Sequence, residues 1–231
     1  MFSSRSFTSK IVAPDATEDF SLLYPVIDIF NHRFGAKVVW GLDKGDFTLA
    51  ITESASRGDQ LFNNYAPKGN EELLMGYGFS LENNPCDEVT VRIGQPPNEV
   101  FTALREAFPI QFSSLEWTAE SSTFYLRGSK HYSGGFQHDS SCLRGIQPEL
   151  FHSICAILSY SNDETSEGDI ADAAIGAILD RLRDKRAVIL KWNSVLPVEP
   201  QNMRQAYAKI YRDGQITILE EIIRELEQYF L

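Results

Sequence analysis

Pro25-Val-Ile-Asp28-Ile-Phe-Asn31-His32, followed by Asn64-Tyr65 and then by Asn70-Glu-Glu-Leu-Leu-Met-Gly-Tyr77-Gly-Phe79, is the set of segments on which the reading of this chain turns. An apolar run ends in an amide and an imidazole. A tyrosine follows an asparagine, and a second tyrosine closes a short leucine-bearing segment. Taken singly, each piece is ordinary: an Asn-His after an apolar run is most often a strand end, and a lone Tyr is most often packing. Their joint order is what informs.

Short strands and turns surround these segments. Residues 36–42 and 47–52 are β-branched and apolar on either side of Asp43-Lys-Gly45-Asp, which reads as a hairpin. Gly58-Asp59 turns the chain into a strand over 60–64. Asn70 reads as the N-cap of a brief helix over 71–76 with two acids in its first turn, and Gly78 closes it. Val89, Val91 and Ile93 alternate with polar residues, the period of a strand over 87–94.

The pattern changes after Gly94-Gln-Pro-Pro97. Residues 99–107 read as a short helix, 123–126 as a strand and Ser133-Gly-Gly135 as a loop; from Pro148 onward the chain is helical. Ile175, Ile178, Leu182, Ile189 and Trp192 recur at helical spacing within 170–196, which Pro197 and Pro200 then break. Met203, Tyr207, Ile210, Ile218, Ile222, Leu226 and Tyr229 mark a final long helix, loosened near Gly214. The fold class expected is α+β. A β-rich part over residues 1–95 precedes an all-α part over 96–231, with the boundary near Pro96-Pro97.

Composition narrows the function classes. The chain has 231 residues, 43% of them hydrophobic, which is enough for a packed core. No run approaches the eighteen apolar residues that a membrane helix needs, so no membrane partner is expected. The formal charge of −11 repels phosphates and argues against nucleic acid. Cys86, Cys142 and Cys155 are scattered and odd in number, so neither a metal site nor a disulfide framework is expected, and a reducing compartment fits. The first ten residues lack the apolar core of a secretory signal, and the expected location is cytoplasmic or nuclear, not organellar.

The ordered set resembles the C-terminal half of a SET-domain methyltransferase, and in particular the branch of the rubisco large-subunit lysine methyltransferase. SET domains are similar in placing Asn-His beside the methyl donor and then a strand ending in Tyr, threaded through a pseudoknot. The Asn-Glu-Leu-Leu-x-x-Tyr-Gly-Phe pattern marks the branch and stands here at Asn70–Phe79 with one additional acid. Asn83-Asn-Pro-Cys-Asp87 and Ser4-Arg5-Ser-Phe7 look like two further stretches of the branch. The helical region from Arg204 through Leu219 is similar to the substrate-binding domain that follows SET there.

The resemblance implies S-adenosylmethionine as cofactor and a protein substrate presenting a lysine. It implies Tyr65 as the catalytic tyrosine. Arg5 would contact the cofactor's carboxylate, as a fork-shaped donor suits that group, and Asn31 and His32 would hold the cofactor beside it. Phe7, Asp28 and Tyr77 would line the lysine channel. The chemistry suits these residue types, because methyl transfer from a sulfonium to an amine is an in-line displacement that rests on positioning and electrostatics. The amine must be neutral, and holding a lysine of pKa ~10.4 neutral near pH 7 costs roughly 4–5 kcal/mol. An aromatic channel of Phe7, Tyr65, Tyr77 and Phe79 disfavours the ammonium by desolvation.

Two departures from the pattern set further expectations. Enzymes of the branch carry a Gly-x-Gly segment well upstream of Asn-His that wraps the cofactor, whereas Asn31 here lies close to Met1, and Gly76-Tyr-Gly78 belongs to the Tyr-Gly-Phe motif. The expectation is therefore a piece of a methyltransferase that binds the cofactor weakly by itself, with a non-catalytic protein-interaction module as the alternative. Ala66 stands where Gly or Asp commonly follows the catalytic Tyr.

Overall fold

In the computed structural model, residues 5–13, 15, 17–43, 46–128, 143–161, 166–193 and 199–231 are described. The turn at Lys44-Gly45, Ser4, the loop at Ser133–Gly135, Cys142 and Pro197 lie outside the described residues. The chain divides into two compact units, Met1–Phe79 and Ser80–Leu231.

The first unit is built of short strands. β1 (Ser6–Thr8) pairs antiparallel with β2 (Ser21–Leu23). The loop between them is closed by Asp19, whose Oδ1 accepts from Thr8 Oγ1 at 2.6 Å, Ser9 N at 3.1 Å and Ser9 Oγ at 3.0 Å. Those donors hold the Asp19 carboxyl below its ordinary pKa. β3 (Asn31–His32) pairs parallel with β6 (Phe62–Asn63), Asn31 opposite Phe62 and His32 opposite Asn63. A parallel pair needs a crossover. Here that crossover carries the hairpin of β4 (Val38–Asp43) and β5 (Asp46–Ile51), whose register runs from Val38↔Ile51 to Asp43↔Asp46.

α1 (Asn70–Tyr77) starts one residue before its expected first turn, because Gly69 is the N-cap and Asn70 is already helical. Its end is as read from the sequence. Gly78 takes φ 81°, and its N–H reaches the carbonyls of Leu73 and Leu74 at 3.0 and 3.1 Å.

In the second unit β7 (Val89–Arg92) pairs antiparallel with β8 (Thr123–Leu126). α2 (Asn98–Ala107), α3 (Pro148–Ser161), α4 (Glu167–Asn193) and α5 (Met203–Tyr229) complete it. The alternation of β7 turns Val89 and Val91 inward, and they join Phe124, Leu126, Ile178, Leu182, Ile218, Ile222 and Leu226 in one core. Each such side chain contributes ~1.5–3 kcal/mol on full burial.

The fold is α+β as expected, with differences of detail. The compact units are Met1–Phe79 and Ser80–Leu231, and β8 lies within the part read as all-α. Both follow from β7 and β8 packing into the helical core. Trp192, assigned to the buried stripe of α4, is 62% exposed, since the long helices overrun the core at their ends. Finally, α5 runs unbroken through Gly214. The glycine answers a close approach, because a Cβ there would stand 2.6 Å from Asp87 Oδ2.

Candidate active site

β3 and β6 bring the motif residues together. Their parallel register sets His32 beside Asn63, and Tyr65 follows two residues beyond β6. The Tyr65 amide donates to His32 Nδ1 at 3.0 Å, and the two rings stack with centroids 5.1 Å apart at 24°. The Tyr65 hydroxyl donates to the Phe30 carbonyl at 2.6 Å. At the end of α1, Tyr77 lies against Tyr65 at 5.1 Å, and Phe79 completes the cluster 6.4 Å from His32 and 6.3 Å from Tyr77. Backbone, imidazole and phenol thus fix one another across residues that are far apart in sequence.

The electrostatics keep the cluster neutral. His32 is 5% exposed, and burial lowers its pKa, helped by the Lys68 cation and opposed by the Asn63 backbone. A neutral imidazole is also what the geometry requires, since Nδ1 must be bare to accept the Tyr65 amide. Burial raises the pKa of Tyr65, the Asp28 carboxylate adds to the rise, and Arg5 opposes it. The phenol therefore keeps its proton and commits it to Phe30, leaving the oxygen lone pairs to accept from an amine.

The pH dependence follows in sign. The folded His32 binds its proton less readily than the unfolded imidazole at about 6.5, so its contribution to stability is present above that value. It is lost as pH falls through the depressed folded pKa. Hydrogen exchange of the Tyr65 amide should accelerate across that acidic window. An exchange rate that follows only the intrinsic pH dependence of amides would contradict this.

The remaining candidates are placed as follows. Arg5 Nη1 pairs with Asp28 Oδ2 at 2.6 Å, which holds the guanidinium pKa up, and the charges of both bear on Tyr65. Asn31 is exposed beside His32. Phe7 stands apart: among the described residues its ring contacts are Tyr24 at 5.6 Å and Trp40 at 5.5 Å, in an aromatic cluster with Phe47. Arg5 is the group able to hold a cofactor carboxylate, a role it would share with its bond to Asp28.

Sequence reasoning passed over three participants: Asn63, Lys68 and the Phe30 carbonyl. Only Asn63 left a trace, as half of the Asn63-Asn64 doublet before Tyr65. Asn63 is 2% exposed, and its Oδ1 accepts the Asn64 amide at 2.8 Å.

Asn64 Oδ1 in turn accepts from Ala66 N at 3.1 Å, and Ala66 takes φ 77°. A left-handed alanine costs roughly 1–2 kcal/mol that glycine avoids, less the entropy glycine loses on folding. Ala66→Gly should raise the stability of the first unit by about 0.5–1 kcal/mol in urea unfolding. A destabilised variant would show that the turn is not the source of strain.

No family model matches the chain. It is 33% identical over 241 aligned residues to the ribosomal lysine N-methyltransferase set10 of Schizosaccharomyces pombe, covering 99% of this chain and 42% of that protein. It is 38% identical over 104 residues to ribosomal lysine N-methyltransferase 1 of Saccharomyces cerevisiae, covering 45% of this chain and 18% of that one. The chain thus spans less than half the length of these relatives. Among solved structures, the SET domain of LSMT bound to lysine and AdoHcy superposes with a TM-score of 0.62 at 17% identity. The match covers 99% of this chain and 53% of that one.

Proposed function

We infer that this chain, a homologue of the SET-domain lysine methyltransferases and alike in fold, forms the acceptor side of an S-adenosylmethionine-dependent protein-lysine N-methyltransferase acting on a ribosomal protein. The supporting observation is Tyr65, whose hydroxyl donates to the Phe30 carbonyl while its backbone amide donates to His32 Nδ1. Such a hydroxyl orients a neutral amine without adding an anion that would favour its protonated form.

The roles divide accordingly. Bound S-adenosylmethionine supplies an electrophilic sulfonium methyl group. Arg5 binds the carboxylate of that cofactor, and Asn31 and His32 hold it through their backbone, since the His32 side chain is engaged with Tyr65. Tyr65 and Tyr77 flank the entering lysine, and their rings disfavour its ammonium form. Asp28 lies beside the lysine path with its charge compensated by the ion pair to Arg5. Phe7, packed on Tyr24 and Trp40, is not among the residues that flank the lysine in this reading.

The helical part over 96–231 would hold the protein substrate. Supporting this is a groove of about 380 Å³ between α4 and α5, lined by Ile189, Trp192, Ala208 and Tyr211 and rimmed by Lys209 and Arg212. Among the described residues no helix is long and apolar enough to cross a membrane and no cluster suits a metal ion. Ribosomal proteins are met in the cytoplasm and the nucleus, and the enzyme would work there.

Incubating the whole gene product with isotopically methyl-labelled cofactor and ribosomal proteins tests the reading. The expected result is N-methyl-lysine in one ribosomal protein, read by mass spectrometry of peptides. Label on another side chain such as histidine, or none at all, would overturn it.

A further inference from the structure

Lys68 stands at the edge of the Tyr65 cluster and has no part in the roles above. Its side chain is only 18% exposed, low for a lysine. Just before the N-cap of α1, its ammonium pairs with Glu72 in the first turn of that helix, and it lies over the Tyr77 ring 5.8 Å from the centroid. Tyr77 rests on Tyr65, and Tyr65 on His32, each at 5.1 Å. A single cation thus heads a row of ammonium, phenol, phenol and imidazole.

We propose that Lys68 is a positioning residue: anchored by Glu72, it clamps Tyr77 against Tyr65 and thereby fixes the Tyr65–His32 pair. The inference deepens the reading of Tyr65 as the residue that meets the acceptor amine, and it rests on that reading for its bearing on catalysis. Its geometry does not depend on the reading.

Two effects act together. The cation over the ring restrains Tyr77, whose ring also meets those of Tyr65 and Phe79. The same charge bears on His32, second only to burial in holding the imidazole neutral. Among the described residues Tyr65 also faces His32, with Arg5, Asp28 and Tyr77 acting on it in turn, and Glu72 partly compensates the Lys68 charge. A fixed cation disfavours imidazolium. Lys68 therefore guards the bare Nδ1 that accepts the Tyr65 amide.

Nuclear magnetic resonance on the 231-residue chain tests this without any methyl transfer. With four histidines in the chain, the His32 signal is assigned by its loss in His32→Gln. In Lys68→Met the His32 titration midpoint should move up and the Tyr65 amide should exchange faster near pH 6. Lys68→Arg should restore both. An unchanged midpoint and exchange rate in Lys68→Met overturns the proposal, and so does a Lys68→Arg variant indistinguishable from it. Should Lys68→Met fail to fold, the unmodified chain decides, since screening of Lys68 by salt should raise the His32 midpoint and a flat response refutes the idea. If these shifts appear while Tyr65→Phe leaves lysine methylation intact, the reading of the function fails and the clamp stands.

Discussion

Replacing Tyr65 by Phe is expected to lower lysine methylation by about 10²–10³-fold, the loss that follows removal of one preorganised polar contact at a reacting centre. The substitution is narrow. It retains the ring that stacks on His32 and Tyr77, and the backbone amide that His32 Nδ1 accepts. What disappears is the hydroxyl and its bond to the Phe30 carbonyl. Losing that hydrogen bond costs about 1 kcal/mol in stability, too little to unfold the unit. Single-turnover transfer of labelled methyl to the ribosomal substrate, with unfolding measured alongside, separates the two effects. Near-normal transfer by a stable Tyr65→Phe protein would remove Tyr65 from the chemistry.

The second large effect is structural. Gly145→Ala should destabilise the helical unit by about 2–3 kcal/mol through overpacking. A Cβ at this position would lie 2.4 Å from the Arg127 carbonyl oxygen and 3.1 Å from Ile222 Cγ1. Backbone cannot swing aside as the tip of a side chain can. The segment is also pinned, since Arg127 N donates to the Gly145 carbonyl at 2.8 Å and Leu126 bridges to Ile146. Gly176→Ala is the contrast. Its Cβ would meet nothing within 4 Å on α4, so it should stabilise by up to about 1 kcal/mol through helix propensity. Urea unfolding of both variants checks the pair, and equal midpoints would show that the close approach at Gly145 is relieved by movement.

Most elements of the fold were legible in the sequence because their causes are local. The hairpin over 38–51 is carried by β-branched runs on either side of a turn, and β7 by a period of two. Gly78 closes α1 because only glycine takes φ 81° at no steric cost. The candidate site was legible differently. The resemblance supplied Asn31, His32, Tyr65 and Tyr77 as a set, since their separations in sequence say nothing about proximity.

Local patterning therefore determined which segments are strands and helices, where α1 ends, and that the chain is α+β. Ordered motifs determined which side chains to bring together. Only the tertiary structure decided that Phe7 packs on Trp40 and Tyr24, that Asp28 engages Arg5, and that Lys68 sits over Tyr77. It alone placed β7 in the helical core and left Gly214 unbroken in α5 against Asp87. The physical reason is range. Periodicity and capping act within a few residues of the chain, whereas ion pairs, ring contacts and close backbone approaches join residues that meet only after the chain has crossed itself.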